Sequence, residues 1–331
     1  MIVTRTPFRI SFFGGGTDFP LWYRDHGGAV LATTIDKFCY INMRRLPPFF
    51  EHKHRIVYSH IENVQNIADI QHPAVRAVFD WANVTEGLEV HHDGDLPARS
   101  GLGSSSSFTV GLMHALAALS GQMITKEQLA RDSIHVEQNL IKENVGSQDQ
   151  ISAAFGGFNR IKFHKNGSFA VDPVITSQDR LEQLQNHLML CFTGFTRLAS
   201  EIEGSKMKRL ELRETELRAM HAMVDPAVEL LQDPSLPIEE FGKMLHQTWG
   251  YKQTLSEKVS TPEIDAIYNS AITAGALGGK ILGAGGGGFL LLFARPEDHA
   301  CIKEKLNQLV HVPFNFENAG SRVVLYQPDG L

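Results

Sequence analysis

Pro97-Ala-Arg-Ser-Gly-Leu-Gly-Ser-Ser-Ser-Ser107 is followed without a break by an apolar run from Phe108 to Leu119. Val110, Leu112, Met113, Ala115, Leu116 and Leu119 leave that run apolar nearly all round, which predicts a buried helix ended by Gly121. A helix start carries unpaired backbone N–H groups and the positive end of the macrodipole, so it attracts phosphate. Gly101 and Gly103 let the backbone curl closely around an anion, and the serines add hydroxyls for phosphate or a metal ion. Pro97, Ser100, Gly101, Leu102, Gly103, Ser104, Ser105, Ser106 and Ser107 are therefore the candidate nucleotide-phosphate cradle.

The rest of the chain bounds what such a cradle serves. The 331 residues are long enough for two domains, and 43% hydrophobic with 21% charged residues is the mixture of a soluble globular protein. The net charge of −6, with Lys and Arg scattered, argues against nucleic acid or an anionic membrane as the main partner. The start, Met1 to Ile10, lacks a basic segment followed by an apolar run, and no stretch reaches roughly 18 apolar residues. Cys39, Cys191 and Cys301 are far apart and odd in number, which predicts a reducing, cytoplasmic setting and three buried, inert thiols.

The pattern predicts a strand over Val3–Phe13 broken at Pro7, then a turn at Gly14-Gly-Gly-Thr-Asp18. Strands are expected at Gly28–Ile35 and Phe38–Met43, a helix over Pro73–Ala82, and a strand from Leu88 into the serine loop. Thr125-Lys-Glu-Gln128 is a capping-box signature opening a helix to about Glu143. Lys165-Asn-Gly167 signals a hairpin. Later come a strand at Leu188–Thr193, amphipathic helices over 198–232 and 238–259, and a helix from Thr261-Pro262. A strand at Phe289–Ala294, a helix over Pro296–Val310 and a strand at Ser321–Tyr326 finish the chain. A strand-rich first half and a helix-rich second half predict an α+β protein, with domains over 1–170 and 171–331.

Three other loops were open. The phosphate loop G-x-x-x-x-G-K-[ST] is absent; Ala274-Gly-Ala-Leu-Gly-Gly-Lys-Ile281 lacks the first glycine and the closing hydroxyl. Gly283-Ala-Gly-Gly-Gly-Gly288 fits G-x-G-x-x-G but precedes a strand, where a dinucleotide fingerprint needs a helix. No G-x-S-x-G surrounds the serines. Three segments together resemble the GHMP kinase superfamily, in the right order: Thr6-Pro-Phe-Arg-Ile10 with Gly14-Gly-Gly-Thr-Asp18, the Pro97–Ser107 loop, and Lys280-Ile-Leu-Gly-Ala-Gly-Gly-Gly-Gly-Phe289. Arg5–Phe19, Pro47–Ile56 and Phe192-Thr-Gly-Phe-Thr-Arg197 are similar to its sugar kinases that phosphorylate the anomeric hydroxyl of D-glycero-α-D-manno-heptose 7-phosphate for surface polysaccharide.

The resemblance implies a ribosomal S5 domain 2-like N-terminal domain, a ferredoxin-like C-terminal domain, and ATP and Mg²⁺ at a site between them. It puts Mg²⁺ on Glu137 and a serine, Ser105 or a neighbour in the run of four. It implies Asp149 as base or orienting group for the sugar O1 hydroxyl, and Arg9 as the basic partner at the reacting centre. Asp18, Thr17, Gly15 and Gly16 are implied as the sugar grip, with Gly285 and Gly286 approaching substrate from the other side. The distal phosphate needs cations: Arg197 is the first candidate, then Arg5, Lys53, Arg55, Arg99, Lys142 and Lys280. The partner is a small-molecule sugar phosphate, and the protein a monomer or homodimer. Two competing expectations are another anomeric sugar kinase, such as one for L-fucose, and a non-catalytic sugar and nucleotide sensor.

Overall fold

The computed structural model describes residues 1–98, 100–194 and 213–329. Its first layer is built on two long neighbours, β1 (Ile2–Phe13) and β2 (Gly28–Arg45), paired antiparallel along most of their length. Pro7 does not break β1. It costs one ladder donor, and the register shifts between Pro7 and Phe8 while the strand continues. The two strands expected at 28–35 and 38–43 are likewise one, because Asp36 and Lys37 stay extended beside β1.

β2 also pairs with β5 (Leu88–Gly94) at its C-terminal end and β6 (Asn159–Phe163) at its N-terminal end. β5 in turn carries β3 (His54–Val57) in parallel, and β4 (Ile61–Val64) closes that edge. The Lys165-Asn-Gly167 hairpin joins β6 to β7 (Phe169–Pro173). After the helices α1 (Pro20–His26) and α2 (Pro73–Trp81), helix α3 (Ser104–Leu119) lies on β1 and β2, with the Thr4 hydroxyl donating to the Gly111 carbonyl at 2.9 Å. It is buried nearly all round, as its composition predicts.

The second sheet is antiparallel, in the order β11-β8-β10-β9, from β8 (Leu188–Phe192), β9 (Ala276–Ile281), β10 (Phe289–Ala294) and β11 (Val310–His311). With helices after the first and third strands this is the ferredoxin-like split βαβ arrangement. β10 reads on both faces with period two. Phe289, Leu291 and Phe293 join the main core, where Phe241 contacts Phe12, Phe13 and Phe293 at ring distances of 5.3, 5.0 and 6.1 Å. Leu290, Leu292 and Ala294 face a second core with Trp249 and Tyr268.

β12 (Phe316–Glu317) and β13 (Arg322–Tyr326) return to the first sheet, on β2 and β1. A cut at residue 170 therefore divides the chain but not the sheets. The helix expected over 296–310 is a short turn plus a helix at His299–Lys305. Cys39 and Cys191 are buried, but Cys301 is exposed on that helix, so only two thiols meet the expectation. Among the described residues no helix is long and apolar enough to cross a membrane.

Candidate active site

Gly101 and Gly103 adopt positive φ angles of 89° and 76°, and Gly103 forms the N-terminal boundary of α3. Gly103 has no side chain to cap the helix, and a helix start of this kind suits an anion. The loop is braced by the third glycine-rich segment: a Cβ on Gly283 would lie 2.4 Å from the Cα of Gly101, and one on Gly101 would lie 2.5 Å from the Leu282 carbonyl oxygen. Only two glycines allow this contact. Phe289 N–H donates to the Ser100 carbonyl at 3.1 Å, and the buried Lys252 ammonium donates to the carbonyls of Ile281 and Gly283. Gly285 and Gly286, expected at substrate, rest against Val259, whose carbonyl accepts from Gly286 N–H at 2.8 Å.

Arg9 enters from β1. Its backbone N–H donates to the Leu102 carbonyl at 3.0 Å, and its guanidinium donates to the Gly101 carbonyl at 2.6 Å. The same guanidinium grips Asp149 with two parallel bonds, 2.8 Å from Nε to Oδ1 and 2.7 Å from a terminal nitrogen to Oδ2. Arg9 is buried, and Asp149 keeps a quarter of its side chain open. A Cβ on Gly103 would approach the Arg9 stem at 3.2 Å and the Asp149 carboxylate at 3.5 Å. Three parts of the chain thus converge on one point.

Asp149 sits in the first turn of α5 (Gln148–Phe155). Asp18 fixes the start of that helix: its carbonyl accepts from Ser147 N–H at 2.9 Å, and its carboxylate accepts from Gln148 N–H at 3.4 Å and Gly16 N–H at 3.0 Å. A Cβ on Gly146 would fall 1.8 Å from that carboxylate, so Gly146 is what lets the two segments meet. Thr17 is fully buried and its hydroxyl is shared between the Gly14 and Ala29 carbonyls, which closes the glycine turn. Gly15 is open, with nothing near its missing Cβ.

Glu137 lies where the capped helix α4 (Lys126–His135) gives way to a wide π turn over Val136–Leu140, short of the expected helix end at Glu143. Such turns re-aim a side chain out of the α register. Glu137 is 1% exposed, and burial pushes its carboxyl up to about 7, against the polar groups of Thr109, Gln150 and Ser106 around it, which pull it down. The Ser106 hydroxyl donates to Glu137 Oε2 at 2.9 Å. Ser105, the expected partner, is exposed on the first turn of α3, one helical step of rotation away. Glu137 Oε1 is buried with no hydrogen-bond partner. A buried, unpaired carboxylate oxygen beside a serine-lined helix start fits a hard divalent cation such as Mg²⁺.

Among the distal-phosphate candidates, Arg197 and Arg99 lie outside the described residues. The Arg5 guanidinium is 4.3 Å over Phe38, Arg55 faces Glu89 at 3.7 Å, and Lys280 donates to the Phe12 carbonyl at 2.8 Å. Lys142 is exposed on the segment between Glu137 and Asp149. Gln150 and Lys252 are the site residues that sequence reasoning passed over, while Ser106 was read as part of the phosphate cradle. Gln150 stands directly after Asp149, the one signal that could have marked it.

The GHMP kinases N terminal domain matches residues 67–157 and the GHMP kinases C terminal domain matches residues 227–310. The chain is a GHMP kinase. Members of this family are ATP-dependent phosphotransferases. This GHMP kinase is 31% identical over 307 residues to the D-glycero-alpha-D-manno-heptose 7-phosphate kinase of Campylobacter jejuni, covering 89% of this chain and 90% of that one. It is 25% identical to the bifunctional fucokinase/GDP-fucose pyrophosphorylase of Arabidopsis thaliana, over 93% of this chain but 31% of that longer protein. A solved D-glycero-D-manno-heptose 1-phosphate kinase from Bacteroides thetaiotaomicron superposes with a TM-score of 0.78 at 20% identity, covering 98% of each chain, which speaks for the fold.

Proposed function

We propose that this GHMP kinase transfers the γ-phosphoryl group of ATP to the anomeric O1 hydroxyl of D-glycero-α-D-manno-heptose 7-phosphate, giving the 1,7-bisphosphate. The bidentate Arg9–Asp149 pair, seated against the Gly101–Gly103 bend, carries this reading. It holds a carboxylate beside the place where the start of α3 would receive phosphate. The resemblance to the Campylobacter jejuni enzyme across nearly the whole chain supports the choice of sugar.

Phosphoryl transfer depends on positioning and charge stabilisation more than on covalent chemistry. Asp149 orients the O1 hydroxyl and accepts its proton as the O1–phosphorus bond forms and the bond to the ADP oxygen breaks. Arg9 keeps Asp149 in one orientation and offers positive charge to the transferring group. The N–H groups at the start of α3 and the serine hydroxyls hold the nucleotide phosphates. Mg²⁺, when bound, would offset phosphate charge; Glu137 and a serine of the 104–107 run would hold it. Lys142 and Lys53, both exposed, and Arg197, outside the described residues, remain the candidates for the distal phosphate.

A second reading, an L-fucose-type anomeric kinase, is favoured by the match to the Arabidopsis protein along 93% of this chain. The two readings differ in their need for a distal phosphate. The test is ATP consumption with heptose 7-phosphate, the unphosphorylated heptose and L-fucose. Preference for the phosphorylated heptose supports the proposal. Equal turnover of phosphorylated and free sugars removes the sugar-phosphate assignment, and ATP binding without consumption with any sugar points to a sensor.

A further inference from the structure

Glu137 is moored from two sides. One of its oxygens, Oε2, receives both the Ser106 hydroxyl at 2.9 Å and the Gln150 carboxamide N–H at 2.5 Å. Ser106 belongs to α3 and Gln150 to α5, so the carboxylate is tied at once to the nucleotide helix and to the helix carrying Asp149. Gln150 is fully buried, an arrangement that fixes its amide orientation. With its nitrogen committed to Glu137, its carbonyl oxygen becomes a defined acceptor. That oxygen, like Glu137 Oε1, is buried without a hydrogen-bond partner.

Two buried acceptors on adjoining side chains are costly unless something donates to them or binds them. Solvated surface roles are closed to both. A cation that retains part of its hydration shell satisfies both: it takes a carboxylate oxygen directly, and a water on it donates to the carboxamide oxygen. Groups that orient a metal ligand are as much a part of such a site as the ligand. Resting on the kinase reading, we infer that Gln150 is a positioning residue for the divalent-cation site: it turns Glu137 so that Oε1 is the presented oxygen, and it receives a hydrogen bond from a cation-bound water. The residue also explains why the first turn of α5 carries Asp149 and Gln150 side by side. Successive helix positions point about 100° apart, so one turn serves Arg9 and the reacting hydroxyl with Asp149, and the cation with Gln150.

The experiment titrates Mn²⁺ into the full chain saturated with ADP and follows free Mn²⁺ by electron paramagnetic resonance. Gln150→Met keeps the volume and burial of the side chain but neither donates nor accepts. It is expected to weaken Mn²⁺ about 10-fold or more, while ADP binding in the presence of chelator stays at the wild-type value. Steady-state turnover of the variant is expected to recover as Mg²⁺ is raised, since the defect is in cation affinity; a merely structural role would lower kcat at every Mg²⁺ concentration. Where Gln150→Met fails to fold, Gln150→Asn, which withdraws the amide by one methylene and stays polar, is expected to show the same loss. Mn²⁺ binding by either folded variant within about twofold of wild type, where loss of an orienting group costs at least tenfold, overturns the role of Gln150 alone. Absence of Mn²⁺ binding in the wild-type ADP complex overturns the kinase site itself.

Discussion

Asp149 and Glu137 are both carboxylates in the same small region, yet their surroundings divide their work. Asp149 is partly open and held by a guanidinium, which fixes the orientation of the carboxylate. Glu137 is sealed from water, and burial raises its carboxyl to about 7. Asp149→Asn is expected to retain ADP affinity, measured calorimetrically, and to lose about 10² to 10⁴ in turnover, the range that a positioned acid–base group contributes; full activity would remove Asp149 from the reaction. Glu137 leads to a stability prediction in the metal-free protein. Its carboxyl is raised in the fold above the ordinary 4.5, so its contribution is fully present below that value and is lost as pH rises through about 7. Glu137→Gln cannot ionise. Its melting temperature relative to wild type, with chelator present, is therefore expected to rise between acid and mildly alkaline pH, by the equivalent of at most about 3 kcal/mol. A pH-independent difference would mean that Glu137 is not buried as a titrating group.

At the scale of elements, the site is made by loops that lean on one another. Gly283 and Gly101 approach too closely for any Cβ, and Gly283 has a φ of 66°. Gly283→Ala must push the two loops apart. The expected result is a raised KM for ATP, with kcat for saturating nucleotide reduced less, and a destabilisation of about 1–3 kcal/mol, the usual cost of strain at a left-handed position or of overpacking. Unchanged nucleotide affinity would show that the glycine-rich turn does not brace the phosphate cradle. The π turn at Val136–Leu140 is another element-level device: the α register ends at His135, before the chain crosses to the Asp149 segment, and Glu137 points to Ser106 instead of solvent.

Taken whole, the molecule is closed by its own tail. β13 pairs with β1, and the Ser321 hydroxyl lies 2.8 Å from that of Thr6 and 3.0 Å from His114 Nδ1 on α3. Ser321 N–H donates to the Ala153 carbonyl on α5. The tail thus touches both helices that frame the site and the strand that carries Arg9. A chain ending at residue 314 is expected to lose cooperative thermal unfolding by circular dichroism, because it uncovers the β1 edge and breaks these bonds together. A transition like that of the full chain would show that the tail is peripheral.

Local chemistry made much of this legible beforehand. The serine loop and its apolar helix, the Thr125 cap, the Lys165-Asn-Gly167 hairpin and the Phe289–Ala294 strand depend on residues within a few positions of one another, so the amino-acid order alone determined them. Arg9, Asp18, Glu137 and Asp149 could be named because the short segments around them resemble those of GHMP kinases. Tertiary structure alone decided what depends on contacts across the chain. Pro7 stays inside a strand because β2 pairs through the irregularity. Ser106 rather than Ser105 meets Glu137 because a π turn changes the angle of approach. Gly283 packs on Gly101, and residues 316–326 return to the first sheet, because pairing and close packing between distant segments outweigh local preference. No window of sequence contains both partners of such a contact.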